Sequence, residues 1–172
     1  MASEDIWILG ITMTKFGKRP DDDVVDLAAE AALGALADGG VTIQDMGVLA
    51  AGNLMGAAAG IGQQLQKQIG QTGIPVYNVA NACATGATAL RTAIMAVKAG
   101  ECDMGLAVGV EKLSGAGLLS GGSRKEDADT WTPKGRVGAI TATDGRIGTM
   151  IMPGLFAQVG MEYLHEHSYA GA

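Results

Sequence analysis

Apolar and polar positions follow two rhythms along the first two thirds of the chain, and the switches between them mark the elements. Residues 6–11 (IWILGI) are almost continuously apolar and β-rich, the pattern of a buried strand. Asp21, Asp22 and Asp23 follow, placed to cap a helix and to meet the positive end of its dipole. Val24, Leu27, Ala28, Ala31 and Leu36 recur at the helical period, and Gly39-Gly40 supplies the stop. A second strand is predicted over 46–51 (MGVLAA), then a Gly/Ala-rich loop over 52–62 and a short helix over 63–69. Residues 75–80 (PVYNVA) predict a third strand. An Ala-dominated helix over 86–98 carries Leu90, Ile94 and Val97 on one side, and 104–110 (MGLAVGV) reads as a strand buried on both faces. Strands alternating with helices connect by right-handed crossovers, so the fold class is α/β with a largely parallel sheet covered on both faces.

The pattern then changes. Residues 114–150 are rich in Gly, Ser, Thr and charge, with little periodicity, which predicts an irregular stretch or the start of an inserted subdomain. Residues 155–167 (LFAQVGMEYLHEH) are helical again, with Phe156, Val159 and Tyr163 on one face. Two domains are therefore expected, 1–113 and 114–172.

Composition narrows the function classes. Of the 172 residues 48% are apolar, which excludes a wholly disordered chain, and the 27 glycines beside abundant Ala favour closely apposed layers. The net charge of −6 leaves no basic stripe for nucleic acid. No apolar stretch reaches the roughly 18 residues a bilayer span needs. The first residues read as no secretion signal, and two cysteines in such a chain suit a reducing, cytoplasmic setting better than a disulfide framework.

Cys83 is the leading candidate for chemistry. It stands in Asn81-Ala82-Cys83-Ala84-Thr85-Gly86, at the turn from a buried strand into a helix. Unpaired N–H groups at a helix start favour a thiolate, and the small neighbours leave space for a substrate carbonyl and its oxyanion. The same residue read alone fits a small core thiol as well. Cys102, in Gly100-Glu101-Cys102-Asp103, reads as structural, and the two Cys and two His match no zinc spacing, so no metal is expected. His165 and His167 fall on different helix faces and read as solvated side chains. The glycines of 56–62 (GAAAGIG) lack the context of a dinucleotide loop. Arg124, Lys125, Lys134, Arg136 and Arg146 either meet the phosphates of a nucleotide or are balanced by Glu126, Asp127 and Asp129.

Several segments, in order, resemble the thiolase superfamily. The opening IWILGITMTKFGK is similar to its first strand and loop, LAAEAALGALADGGV to its first helix, and LAAGNLMGAAAGIGQQLQKQIG to its Gly-rich segment with the G-x-G-Q run at Gly60 to Gln63. NACATGATAL resembles the active-site segment, most closely that of the sterol carrier protein X-type thiolases, and so places the nucleophile on Cys83. GLAVGVEKLS carries the G-x-E-x-[ML]-S pattern through Gly109, Glu111, Leu113 and Ser114, and MPGLFAQVGMEYLHEHS looks like the pantetheine-contacting helix. The resemblance implies the N-terminal half of a layered thiolase fold with the start of an inserted loop domain. It also implies acyl-CoA as substrate with no further cofactor, and a dimer or tetramer, with a small partner subunit as a further option.

Departures from the family pattern bear on the substrate. Tyr163-Leu164 replaces the usual His-Met, which places substrate contacts on those two residues and moves the chain towards the sterol carrier-like and aldolase-like branches; Ser168 stands where Gly is usual. The family's second half supplies a Gly-His-Pro histidine, an Asn-His pair and a Cys-x-Gly cysteine, and none of these motifs occurs here. The expectation is an acyltransferase of lipid or steroid metabolism that is inactive as this chain alone. Its alternatives are an aldolase for CoA-ester side chains and a non-catalytic thiolase-fold partner subunit; Glu111 to Ser114 argue against a ketoacyl synthase.

Overall fold

The structure is a computed structural model that describes residues 5–56, 59–113 and 151–167. The chain divides into two compact units, Met1–Ser114 and Gly115–Ala172. The first unit holds α1 (Val24–Asp38), β1 (Val48–Gly52), α2 (Ile61–Ile69), β2 (Val76–Val79), α3 (Thr85–Lys98) and β3 (Gly105–Gly109), with a short 3-10 turn at Ile43–Asp45. The described part of the second unit is α4 (Ile151–Glu166).

The three strands form a parallel sheet in the order β2-β1-β3. The central strand β1 is buried along its whole length, as a strand covered on both faces must be. Its side chains alternate between two cores. Leu49 joins Ala28, Ala32 and Leu36 of α1, Leu65 and Ile69 of α2, and Leu106 and Val108. Ala50 faces Ala89 and Ala93 of α3 on the other side. The α/β class and the parallel, two-sided sheet are as the sequence predicts.

Helix α1 starts where the aspartates place it. Asp23 accepts from Val25 N and Asp26 N, and Asp26 accepts from Asp23 N in return, a reciprocal capping box. Gln68 Nε2 donates to Asp26 Oδ1 at 3.0 Å and ties α2 to this cap. Arg19 bridges Asp22 and Glu30, and Lys112 Nζ donates to the Asp22 carbonyl. Among the described residues no helix is long and apolar enough to cross a membrane.

Three expectations are corrected. Residues 6–11 form no strand: Trp7, Ile8, Leu9 and Ile11 are exposed, and the segment joins no ladder. An apolar run supplies the side chains of a strand but not the neighbouring backbone that makes one. The segment rests instead on the end of α1, where a Cβ on Gly10 would stand 2.3 Å from Ala35 O and 2.4 Å from Gly39 N. The core face of α1 is Val25, Ala28, Ala29, Ala32 and Leu36, rotated from the predicted stripe. On α3 the buried face is Thr85, Ala89, Ala93 and Ala96, whereas Leu90 is exposed and Ile94 and Val97 are half-buried. Close approach explains this, since a Cβ on Gly105 would stand 3.4 Å from Ala93 Cβ, leaving no depth for larger residues.

Helix α2 begins at Ile61, two residues before the prediction, and α4 begins at Ile151, with Pro153 in its first turn where its missing N–H costs nothing. The reading of 114–150 as irregular lies outside the described residues, as do Arg124, Lys125, Lys134, Arg136, Arg146 and Ser168.

Candidate functional site

In an open parallel sheet, ligands bind outside the carboxyl ends of the strands. Here those ends carry Gly52, Val79 and Gly109, and the first turn of α3 is seated directly on two of them. A Cβ on Gly52 would stand 2.9 Å from Thr85 Cγ2, and one on Gly109 would stand 2.8 Å from Gly86 Cα. Glycine is what lets the helix start reach the strand ends.

Cys83 lies between β2 and α3 and is exposed. The residue before it, Ala82, has φ +45°, the only positive φ outside glycine among the described residues. A left-handed alanine costs about 1–3 kcal/mol and persists only where its surroundings impose it. Those surroundings are hydrogen bonds. Ala84 N donates to Asn81 O at 2.9 Å, and Thr85 N donates to Ala82 O at 3.2 Å. The Thr85 hydroxyl accepts from Asn81 N and donates to Ala82 O, each at 2.7 Å. Asn81 Nδ2 donates to Thr88 Oγ1 at 3.0 Å, whose proton goes to Ala84 O at 3.1 Å. The chain is thus folded into a tight elbow with the thiol at its tip. Ala84, the N-cap, offers no side-chain acceptor, and Gly86 N and Ala87 N find no partner among the described residues. These are free donors of the kind an oxyanion needs.

A second polar cluster crosses the same strand ends. Asn53, only 3% exposed, donates its backbone N–H to Val79 O at 3.2 Å. Its Nδ2 donates to Val110 O at 2.8 Å and to Glu111 Oε1 at 3.2 Å, while its Oδ1 accepts from Gly56 N. Glu111 Oε2 accepts from Leu54 N at 2.9 Å and Met55 N at 3.3 Å. Asn78 performs a related task at the edge, accepting from Gly62 N and donating to Gln63 Oε1, each at 2.7 Å. The Gly-rich run at Gly60 to Gln63 is therefore a helix start held to β2. Sequence reasoning did not single out Asn53 or Thr85. The available signal was a polar residue at the end of an apolar run, which must find partners once buried.

Cys102 is half-buried against Gly47, where an added Cβ would stand 2.3 Å from Cys102 Cβ. Burial, then Glu101 and Asp103, push its thiol pKa up. It is a packing thiol. Tyr163 and Leu164 belong to α4 in the second unit and are exposed; the Tyr163 ring lies 4.3 Å from that of His167, one turn on. His165 is exposed on the same helix.

Comparison with known proteins gives the family. The family model for the thiolase N-terminal domain matches residues 6–155. The chain belongs to the thiolase family. Among curated relatives, sterol carrier protein 2 from Gallus gallus is 33% identical over 94% of this chain and 29% of that protein. An acetyl-CoA acetyltransferase from Methanothermobacter thermautotrophicus is 40% identical over 64% of this chain and 30% of that protein. The chain thus spans about three tenths of the length of these relatives. A crystal structure of Xanthomonas campestris OleA with bound lauric acid and lauroyl-CoA covers 55% of this chain and 29% of that chain, at 22% identity and a TM-score of 0.48.

Proposed function

We propose that this chain supplies the nucleophile of a thiolase-type acyltransferase, with Cys83 as the residue that accepts the acyl group from coenzyme A. The observation that carries the reading is the elbow: an exposed thiol follows a left-handed Ala82 at the start of α3, whose Gly86 and Ala87 N–H groups have no partner among the described residues. Cys83 Sγ would attack the carbonyl carbon of an acyl-CoA thioester, and its oxygen would gain negative charge within reach of the Gly86 and Ala87 donors. Collapse breaks the carbon–sulfur bond to coenzyme A, which leaves as a thiolate and takes up the proton lost by Cys83. The product is an acyl-cysteine thioester, ready for attack by a carbanion from a second acyl-CoA or, in reverse, for thiolysis.

The relatives named sterol carrier protein 2 and non-specific lipid-transfer protein-like 2 support acyl groups drawn from lipids. Tyr163 and Leu164 are the proposed contacts for the pantetheine arm. Activation of the thiol and proton transfer in the second half-reaction fall to groups outside this chain, so the chain alone is expected to be acylated slowly and to show negligible turnover. Among the described residues strand β2 is an edge of the sheet, and its unpaired side there supports pairing with a second copy. Both cysteines are free thiols, in keeping with a reducing compartment.

The test is intact mass after incubation with acetyl-CoA. A single acetyl adduct that peptide mapping places on Cys83, and that Cys83→Ser abolishes, is the expected result. No adduct, or an adduct on Cys102, would count against the assignment.

A further inference from the structure

Along the buried stripe of α3, Ala89, Ala93 and Ala96 pack with methyl groups alone, while Thr85 brings a hydroxyl to the same face. Thr85 and Asn53 are the two buried polar side chains among the described residues. Packing against Gly52 uses the Thr85 methyl, since Cγ2 is the side-chain atom a Cβ there would meet. The hydroxyl does something else. It accepts from Asn81 N and donates to Ala82 O, so both of its bonds fall on the two residues before Cys83. Its second bond fixes the carbonyl of the residue at φ +45°. Thr85 is thereby attached to the elbow from inside the fold, and Thr88 repeats the attachment from the half-buried side through Asn81 Nδ2.

We propose that Thr85 is the positioning residue for the Cys83 thiol, acting through Ala82, with Thr88 as a secondary anchor. This rests on Cys83 being the nucleophile. Replacing that hydroxyl by a methyl of equal volume frees Asn81 N and leaves the Ala82 carbonyl with the longer bond from Thr85 N alone. The left-handed Ala82 then has less to hold it, and the thiol on the next residue shifts with it.

The experiment compares Thr85→Val, which keeps the shape, and Thr85→Ser, which keeps the hydroxyl, with the unaltered chain. The reading is the rate of iodoacetamide labelling at each cysteine, separated by peptide mapping, beside the melting temperature. Thr85→Val is expected to slow Cys83 about tenfold near neutral pH, the scale of the strain it releases, leaving Cys102 unchanged, with Thr85→Ser restoring the rate. A lowered melting temperature with Cys83 labelling unchanged, or both cysteines altered together, would overturn the proposal and leave Thr85 a packing residue. Should Thr85→Val not fold, Thr88→Val carries the test: slower Cys83 labelling supports the bracket, and an unchanged rate overturns it. Labelling does not depend on acyl transfer. An unaltered chain that acetyl-CoA fails to acylate sinks the catalytic reading alone, while an acylated chain indifferent to Thr85→Val sinks the positioning role alone.

Discussion

Asn53 and Glu111 meet across the carboxyl ends of β1 and β3, with Asn53 Nδ2 donating to Glu111 Oε1 at 3.2 Å while the other carboxylate oxygen receives Leu54 N and Met55 N. The Asn53 backbone N–H donates to Val79 O and its side-chain amide to Val110 O, so one residue ties the ends of both outer strands, the second of them through the amide.

Removing the side-chain amide leaves the half-buried Val110 carbonyl and Gly56 N–H without it. Asn53→Ala is therefore expected to destabilise the fold by about 2–3 kcal/mol, the cost of orphaned polar groups. Urea titration followed by circular dichroism measures it; a loss below about 0.5 kcal/mol would show that the rim does not depend on Asn53.

Gly109→Ala sets a methyl against the backbone of Gly86 at 2.8 Å, where no flexible side chain can give way. A loss of about 1–3 kcal/mol is expected, as for overpacking elsewhere, together with altered labelling of Cys83 because the helix start must move. Gly17→Ala, at a glycine with open space, is the control and should change neither. Equal melting temperatures for the two variants would contradict the seated helix.

Acid should loosen the first helix. Asp26 is held below the ordinary aspartate range by the Asp23 N–H and then by Gln68, and Glu30 is lowered by Arg19. A carboxylate with a depressed folded pKa stabilises above its unfolded pKa, and that contribution disappears as pH falls through the folded value. The melting temperature should therefore hold above about pH 5 and fall below about pH 4, less steeply in Asp26→Asn. A melting curve indifferent to pH in that range would show that these bonds contribute nothing.

The two thiols should separate cleanly. Cys83 is exposed, whereas Cys102 is half-buried and its pKa is raised by burial, Glu101 and Asp103. Iodoacetamide near neutral pH is expected to label Cys83 first, with Cys102 following only at more alkaline pH. Peptide mapping that finds Cys102 modified first would reverse the assignment.

What could be read from the sequence divides along a physical line. Asp23 as a cap, the strand before Cys83 and the helix after it are local: the chemistry that fixes them lies within a few residues. The buried face of α3 is not local. Leu90 looks like core until the sheet is close enough that only Ala89 and Ala93 fit beneath it. Residues 6–11 have the composition of a strand, but pairing is a property of two segments. In the site, the family pattern marks Cys83 and Glu111, whereas Asn53 acquires meaning only when Val110 and Glu111 arrive from elsewhere in the chain, and Thr85 only once the left-handed Ala82 turns the chain so that its hydroxyl meets Asn81 N.

The strand order has a consequence in time. Because β3 docks on β1 rather than on the strand before it, Leu49 must wait for Leu106 before the central strand is enclosed. A ribosome releases Cys83 well before the strand that bears on its helix, and pairing between such distant segments forms slowly. Gly109 meets Gly86 only at the close of that sequence, so the start of α3 gains its full seat last of all. A nascent chain halted before Gly105 would carry the cysteine and its local turn on a helix not yet seated.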